Sequence, residues 1–307
     1  MSLNAIHLMK GIRFWRNPKN KLPCLEVHYT ADPDKDPITE KGREWFEEAT
    51  ENMSEADIER EMEINWNARG GKRFYGEFKR EMFRPAPLNP FLPTIFRCWD
   101  FGYHHPAVMY LQTDTKNTNY NDIPRTYIIK CIQGEDIEFE DFLLRQILPV
   151  FRNEKTAWDE PYVIKDCCDI AGLQKNPMTN ATCISLMAKH GVYPIYTKKG
   201  IKYGTDRVRN LIKSGQIMLN SEDEGCVFLS HGFFGGYIFE PTKPGITKKE
   251  SEKPEDGNIY GHLMDGLRYF VVNFLDIVGL ARSLTNEPRP KRTYHIPGPG
   301  NSRRRRI

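Results

Sequence analysis

Apolar and polar positions along the chain change period at about residue 93. Residues 21–31 form a short β-prone run that leads into the turn-rich DPDKDP. Residues 39–65 then predict a helix, with Trp45, Phe46, Ala49, Met53 and Ala56 near helical spacing among Glu, Lys and Arg. Residues 67–71 break it. Phe74, Tyr75 and Phe78 follow as a short aromatic segment. FRPAPLNPFLP, with four prolines from Pro85 to Pro93, reads as a linker. Beyond it the alternation predicts strands at 94–101, 107–112 and 125–133, a helix over 139–152 and a strand over 162–169. A helix over 181–190, a strand at 193–196, a helix over 206–214, an extended run at 216–219 and a helix over 265–278 complete the pattern. A hairpin of strands followed by alternating strands and helices predicts an α/β fold, a sheet covered by helices. The expected division is 1–92 as a helical and extended connector, 93–278 as the main domain, and 279–307 as a disordered tail rich in Pro, Gly and Arg.

Composition narrows the picture. The chain has 307 residues, 39% of them hydrophobic, enough for a sizeable core, which excludes a wholly disordered or collagen-like protein. The formal net charge of +3 hides a division. Residues 279–307 hold eight Lys/Arg and one Glu, so everything before them is slightly acidic. Overall charge is therefore no argument for nucleic-acid binding, and only local patches can supply one. Seven cysteines without a CxxC pair read as small core residues of a reduced protein rather than as a disulfide framework. A zinc set of Cys167, Cys168, Cys183 and His190 is the chemically conceivable alternative. The opening MSLNAIHLMKGIRFW lacks the apolar run of a signal peptide, and 269–281 is too short and too polar to span a bilayer. A soluble protein is expected.

Three acids carry the chemistry. Asp100 ends one predicted strand, Asp169 ends another, and Asp265 begins the last helix. Acids so placed can meet at one sheet edge, where hard divalent ions take carboxylate oxygens and activate water against a phosphodiester. Each also has a bland role: Asp100 as a turn former, Asp169 as a helix cap, Asp265 as a favourable charge near a helix start. Spacing alone leaves both readings open. The stretch 189–213 adds Lys189, Lys198, Lys199, Lys202, Arg207, Arg209 and Lys213 against the single acid Asp206. Lys243, Lys248 and Lys249 lie in a loop at 237–257. Such cations hold a phosphate backbone or simply form a solvated face.

WDFGYHHPAV, DIAG and GHLMDGLRYF, in that order, resemble the nuclease domain of phage terminase large subunits, a member of the RNase H-like superfamily. HYTADPDKD and INWNARGGKRFYGEF resemble the segment that joins the packaging ATPase to that nuclease. The resemblance covers roughly residues 11–278. It implies an RNase H-like mixed central sheet flanked by helices and a nuclease that cuts double-stranded DNA with two Mg²⁺ or Mn²⁺ ions. It also implies Asp100, Asp169 and Asp265 as metal ligands and catalytic acids. His262 stands in a supporting H-x-x-D arrangement, and Asp166 is the alternative second acid. Lys198, Lys199, Lys202, Arg207, Arg209, Lys213, Lys248 and Lys249 are the implied DNA contacts. The implied partners are the terminase ATPase domain, the small terminase subunit and the portal, the last through the basic tail, in the host cytoplasm. No Walker A loop is present, so the resemblance implies the C-terminal part of a large terminase without ATP hydrolysis.

Overall fold

The computed structural model describes residues 6–16, 20–51, 53, 57–65, 72–102, 105–119, 123–174, 181–198, 200–240 and 253–275. The basic tail and the tip of the 237–257 loop, with Lys248 and Lys249, lie outside them, as does Lys199. Residues 1–275 form one compact unit.

The chain begins with a small antiparallel sheet of β1 (Ile6–Met9), β2 (Ile12–Arg16) and β3 (Pro23–Val27) in that order. Helix α1 (Glu40–Thr50) is capped by Thr39, whose hydroxyl accepts from the Gly42 amide at 3.0 Å. The helix expected over 39–65 is thus cut short. A separate π-helical turn, Ile58–Met62, ends where Ile64 enters the left-handed region at φ 54°.

The main sheet contains β4 (Phe83–Arg84), β5 (Thr94–Asp100), β6 (Ala107–Thr118), β7 (Pro124–Gln133), β8 (Val163–Cys168) and β9 (Ile217–Asn220). Its order is β4-β9-β7-β6-β5-β8. β5, β6 and β7 form an antiparallel meander, whereas β8 is parallel to β5, β9 to β7 and β4 to β9. Parallel neighbours require crossovers, and helices supply them. α2 (Phe139–Asp141, continuing as the π-helical Phe142–Ile147), α3 (Cys183–Lys189) and α4 (Ile201–Lys213) lie in these crossovers, whereas α5 (Glu224–His231) and α6 (Gly261–Asn273) follow the last strand. The molecule has the expected α/β architecture, a mixed sheet flanked by helices.

The period-2 alternation of β5 divides its side chains between two layers. Ile95 and Trp99 join Val108, Tyr110 and Cys168 on one face, packed against Phe142, Leu143, Ile147 and Met187. Phe96 and Cys98 face the other way, where the Phe96 ring meets those of Phe270 and Phe274 at 5.4 and 4.7 Å. Helix α6 therefore covers this second face. At Gly266 the helix lies directly on β5, where a Cβ would be in ordinary contact with the Cys98 carbonyl oxygen at 3.4 Å.

Several elements differ from the pattern-based expectation. β6 runs on to Thr118 through a polar, exposed stretch, pairing with β7 at Asp114 opposite Arg125 and, across a register shift, again at Thr118 opposite Pro124. The strand expected at 193–196 reduces to a single parallel bridge between Ile195 and Cys167. Helix α5 has no amphipathic signature: GCVFLSH is apolar almost throughout and is wedged beneath β7. The segment 72–84, expected ahead of the main domain, is built into it. Phe78 stacks on Phe233 at 4.1 Å, the Phe74 amide donates to the Tyr237 carbonyl at 2.9 Å, and β4 forms one edge of the sheet.

Candidate active site

β5 and β8 run side by side in parallel register, Cys98 opposite Cys167 and Trp99 opposite Cys168. The next pair is Asp100 and Asp169, just past the last registered residues. Neighbouring strands lie about 4.8 Å apart, and residues in register share a face. That face is the one α6 covers, and there the Cys98 and Cys167 sulfurs approach to 3.4 Å. Asp265 comes from α6. The helix begins at Gly261 rather than at Asp265, so Asp265 lies in its second turn. Gly and His are weak helix formers, which is why periodicity alone starts the helix late.

Asp100 is held at both oxygens. Tyr269 donates its hydroxyl to Oδ1 at 3.1 Å, and His262 Nδ1 bonds Oδ2 at 2.5 Å. Gly102 makes room for this, since a Cβ there would lie 2.7 Å from His262 Cε1. The hydrogen bond to Asp100 raises the imidazole of His262 above its ordinary value, against burial, which lowers it. Asp265 pairs with Arg268 at 2.9 Å. Burial pushes the Asp265 carboxyl up to about 6, Arg268 opposes the rise, and the charges of Asp100 and Asp169 add to it. The Asp265 carboxyl therefore feels the charges of both strand-end acids in a partly desolvated volume. Asp169 also caps the turn Ile170–Leu173, accepting from the Ile170 amide at 2.6 Å.

Donor chemistry decides whether a divalent cation fits here. Among the described residues, no three His, Cys, Asp or Glu side chains already surround one point. The available set is nevertheless all carboxylate, the hard-oxygen donors that Mg²⁺ and Mn²⁺ take. Each carboxylate keeps lone pairs beyond those used in the bonds above. The repulsion from Asp100 and Asp169 that adds to the burial effect at Asp265 is also relieved by a cation. The residues fit the group.

The other expected site residues separate into groups. Asp166 points to the opposite face, where Arg97 holds both its oxygens at 2.7 and 2.9 Å and Trp99 Nε1 donates to it at 2.7 Å. It is a buried ion-pair partner, and Asp169 is the acid that shares a face with Asp100. The zinc set does not assemble, because Cys167 and Cys168 point to opposite faces of β8, and His190 bonds Glu140 at 2.8 Å. Of the basic stretch, Lys198 and Lys202 are exposed, and Arg207 stacks on the Tyr203 ring. Arg209 turns inward instead, donating to the Phe74 carbonyl at 2.9 Å and lying over the Phe74 and Phe239 rings. Lys213 pairs with Glu77 at 3.4 Å. These last two contacts tie α4 to the 72–84 segment, with the Lys213 side chain still 60% exposed.

Arg268 and Tyr269 escaped the sequence reading. Helical spacing could have found them, since 262, 265, 268 and 269 fall on one face of an α-helix. Tyr75, far upstream, also reaches this neighbourhood. Burial raises its hydroxyl, and Arg268 and Asp265 both act on it electrostatically.

No family model matches the chain, and no curated protein matches it in sequence. Among solved structures it is similar to the large terminase of a thermophilic bacteriophage. The identity is 16% over 67% of this chain and 46% of that one, with a TM-score of 0.47. A second crystal form of that protein gives 14% identity, 67% and 45% coverage, and a TM-score of 0.48. The large terminase nuclease of the thermophilic phage G20c, with bound magnesium, is similar at 15% identity over 66% of this chain and 97% of that one, with a TM-score of 0.38. The match spans less than half the length of the first of these, the full large terminase. Among the described residues, no helix is long and apolar enough to cross a membrane.

Proposed function

We propose that the chain is the nuclease part of a phage large terminase, a divalent-metal-dependent endonuclease that cuts double-stranded DNA during genome packaging. The observation that carries this reading is that Asp100 ends β5, Asp169 directly follows the neighbouring parallel strand β8, and α6 brings His262 onto Asp100 one turn before Asp265. Asp100, Asp169 and Asp265 would hold two Mg²⁺ or Mn²⁺ ions. Such ions supply activation of water and stabilisation of the leaving oxygen at a phosphodiester. The protein's own part is positional and electrostatic. His262 fixes one oxygen of Asp100 and carries a proton beside the acid cluster. Lys198, Lys202 and Arg207 supply cations for the phosphate backbone, which fix register without reading sequence. Lys199, Lys248 and Lys249 belong to the same proposed contact set. The packaging ATPase, the small terminase subunit and the portal are the partners this role requires, in the host cytoplasm.

The test is cleavage of supercoiled plasmid in the presence of Mn²⁺. Nicked and linear products are expected, and they should disappear with EDTA and fall at least about 100-fold in Asp100→Ala and Asp169→Ala. Cutting that survives either substitution or the chelator would remove the assignment.

A further inference from the structure

Two carboxylates of the proposed site are joined through adjacent residues of one helix. Arg268 pairs with Asp265 at 2.9 Å, and the same guanidinium nitrogen donates to the Tyr269 hydroxyl at 3.4 Å. The guanidinium also lies 5.2 Å from the centre of the Tyr269 ring. Tyr269 in turn donates to Asp100 Oδ1 at 3.1 Å. The result is a continuous chain, Asp265–Arg268–Tyr269–Asp100, linking the helix-borne acid to the strand-borne one.

The surroundings keep this chain in place. Arg268 is mostly buried, and its stem lies against Gly204 of α4, where a Cβ would come within 2.3 Å of Arg268 Cγ. The arginine therefore has a slot that the neighbouring helix leaves open for it. A hydroxyl that donates to one oxygen of a carboxylate fixes the plane of that group and leaves its remaining lone pairs directed elsewhere. Partners of this kind, one step outside a metal's own ligands, set the orientation of those ligands.

We propose that Tyr269, held by Arg268, is a positioning residue that aims the Asp100 carboxylate toward a divalent cation shared with Asp169 and Asp265. Tyr269 touches neither metal nor DNA in this role. It acts through Asp100, and Arg268 acts through Tyr269 and Asp265. The inference rests on the metal-nuclease reading and adds to it two residues that the sequence resemblance does not assign.

The experiment is direct titration of the intact, metal-free chain with Mn²⁺, read by calorimetry without DNA. Wild type, Asp100→Ala and Tyr269→Phe are compared, with melting temperatures measured in EDTA. Tyr269→Phe keeps the ring and loses only the hydroxyl, so its melting temperature should stay within about 2 °C of wild type. Its Mn²⁺ affinity should fall about tenfold. With DNA present, the Mn²⁺ concentration for half-maximal cutting should rise in parallel, while the rate at saturating Mn²⁺ falls less. Wild-type affinity in Tyr269→Phe overturns the positioning role and leaves the nuclease reading standing. Weaker binding accompanied by a large loss of melting temperature also overturns it, because the hydroxyl is then structural. A folded wild-type chain that binds no Mn²⁺ overturns the nuclease reading itself, and this proposal with it.

Discussion

Asp265 is where burial and charge act most visibly on a single side chain. Its carboxyl is pushed up to about 6 by burial, well above the roughly 3.9 of an unfolded aspartate. The folded state then holds the proton over a range in which the unfolded chain has lost it. The stability from this group is complete below about pH 4 and declines as pH rises through about 6. His262 acts with the same sign. Its raised value means that its contribution is present at low pH and lost as pH climbs through the folded value. In EDTA, the melting temperature should therefore fall between about pH 5 and pH 8. Asp265→Asn should flatten the acid limb of that curve, and a profile identical to wild type would show that the carboxyl is not perturbed. At this scale the sequence was informative about identity and silent about pairing. Asp100, Asp169 and Asp265 stood out from their motifs, whereas the contacts of Tyr269 and Arg268 depend on which face of α6 meets the sheet.

At the scale of elements, the meeting of α5 with β7 is the least legible from pattern and the most dependent on particular atoms. Asp223 caps α5 by accepting from the Cys226 amide at 3.0 Å. It also accepts from the Cys131 amide at 3.0 Å and pairs with Lys130 at 2.8 Å. Asp223→Ala removes a helix cap and strands a strand amide, so it should cost about 2–3 kcal/mol in urea denaturation. Two positions on, a Cβ at Gly225 would lie 1.9 Å from the Cys131 carbonyl oxygen. Because the obstacle is backbone, Gly225→Ala should cost at least about 2 kcal/mol by the same measurement. A loss under about 0.5 kcal/mol for either would mean that the helix and strand are not in this contact. Elements with clear alternation, β5, β7 and β8, were anticipated to within a residue or two. Helix α5 was not, because its partly buried flanks carry Val227 and Phe228 as well, so no sharp amphipathic stripe marks the face of Cys226 and Leu229.

Across the whole molecule, the proline-rich run at 85–93 separates two compositions without separating two bodies. Glu59 is buried and pairs with Arg80, the Asn65 amide nitrogen donates to the His231 carbonyl at 3.1 Å, and Phe78 stacks on Phe233. We expect a fragment of residues 57–275 to melt in one cooperative transition. A fragment of residues 93–275 should not, since it loses β4 and exposes Phe233. Cooperative melting of the shorter fragment would restore the boundary at 92/93. Within the longer one, Phe78→Ala should cost about 3–5 kcal/mol, the range for emptying a buried aromatic site. Hydrophobic periodicity by itself determined that this protein is a sheet covered by helices, and residue chemistry determined which acids to watch, because both are local properties carried along the chain. Tertiary structure alone decided that Asp166 turns to Arg97 and Trp99, on the face of β5 opposite Asp100. A strand presents alternate residues to opposite layers, and which layer α6 occupies is set by packing far away in sequence. It also decided that Arg209 turns inward to the Phe74 carbonyl and that Tyr269 reaches Asp100, since each depends on a partner far away in sequence that no local pattern specifies.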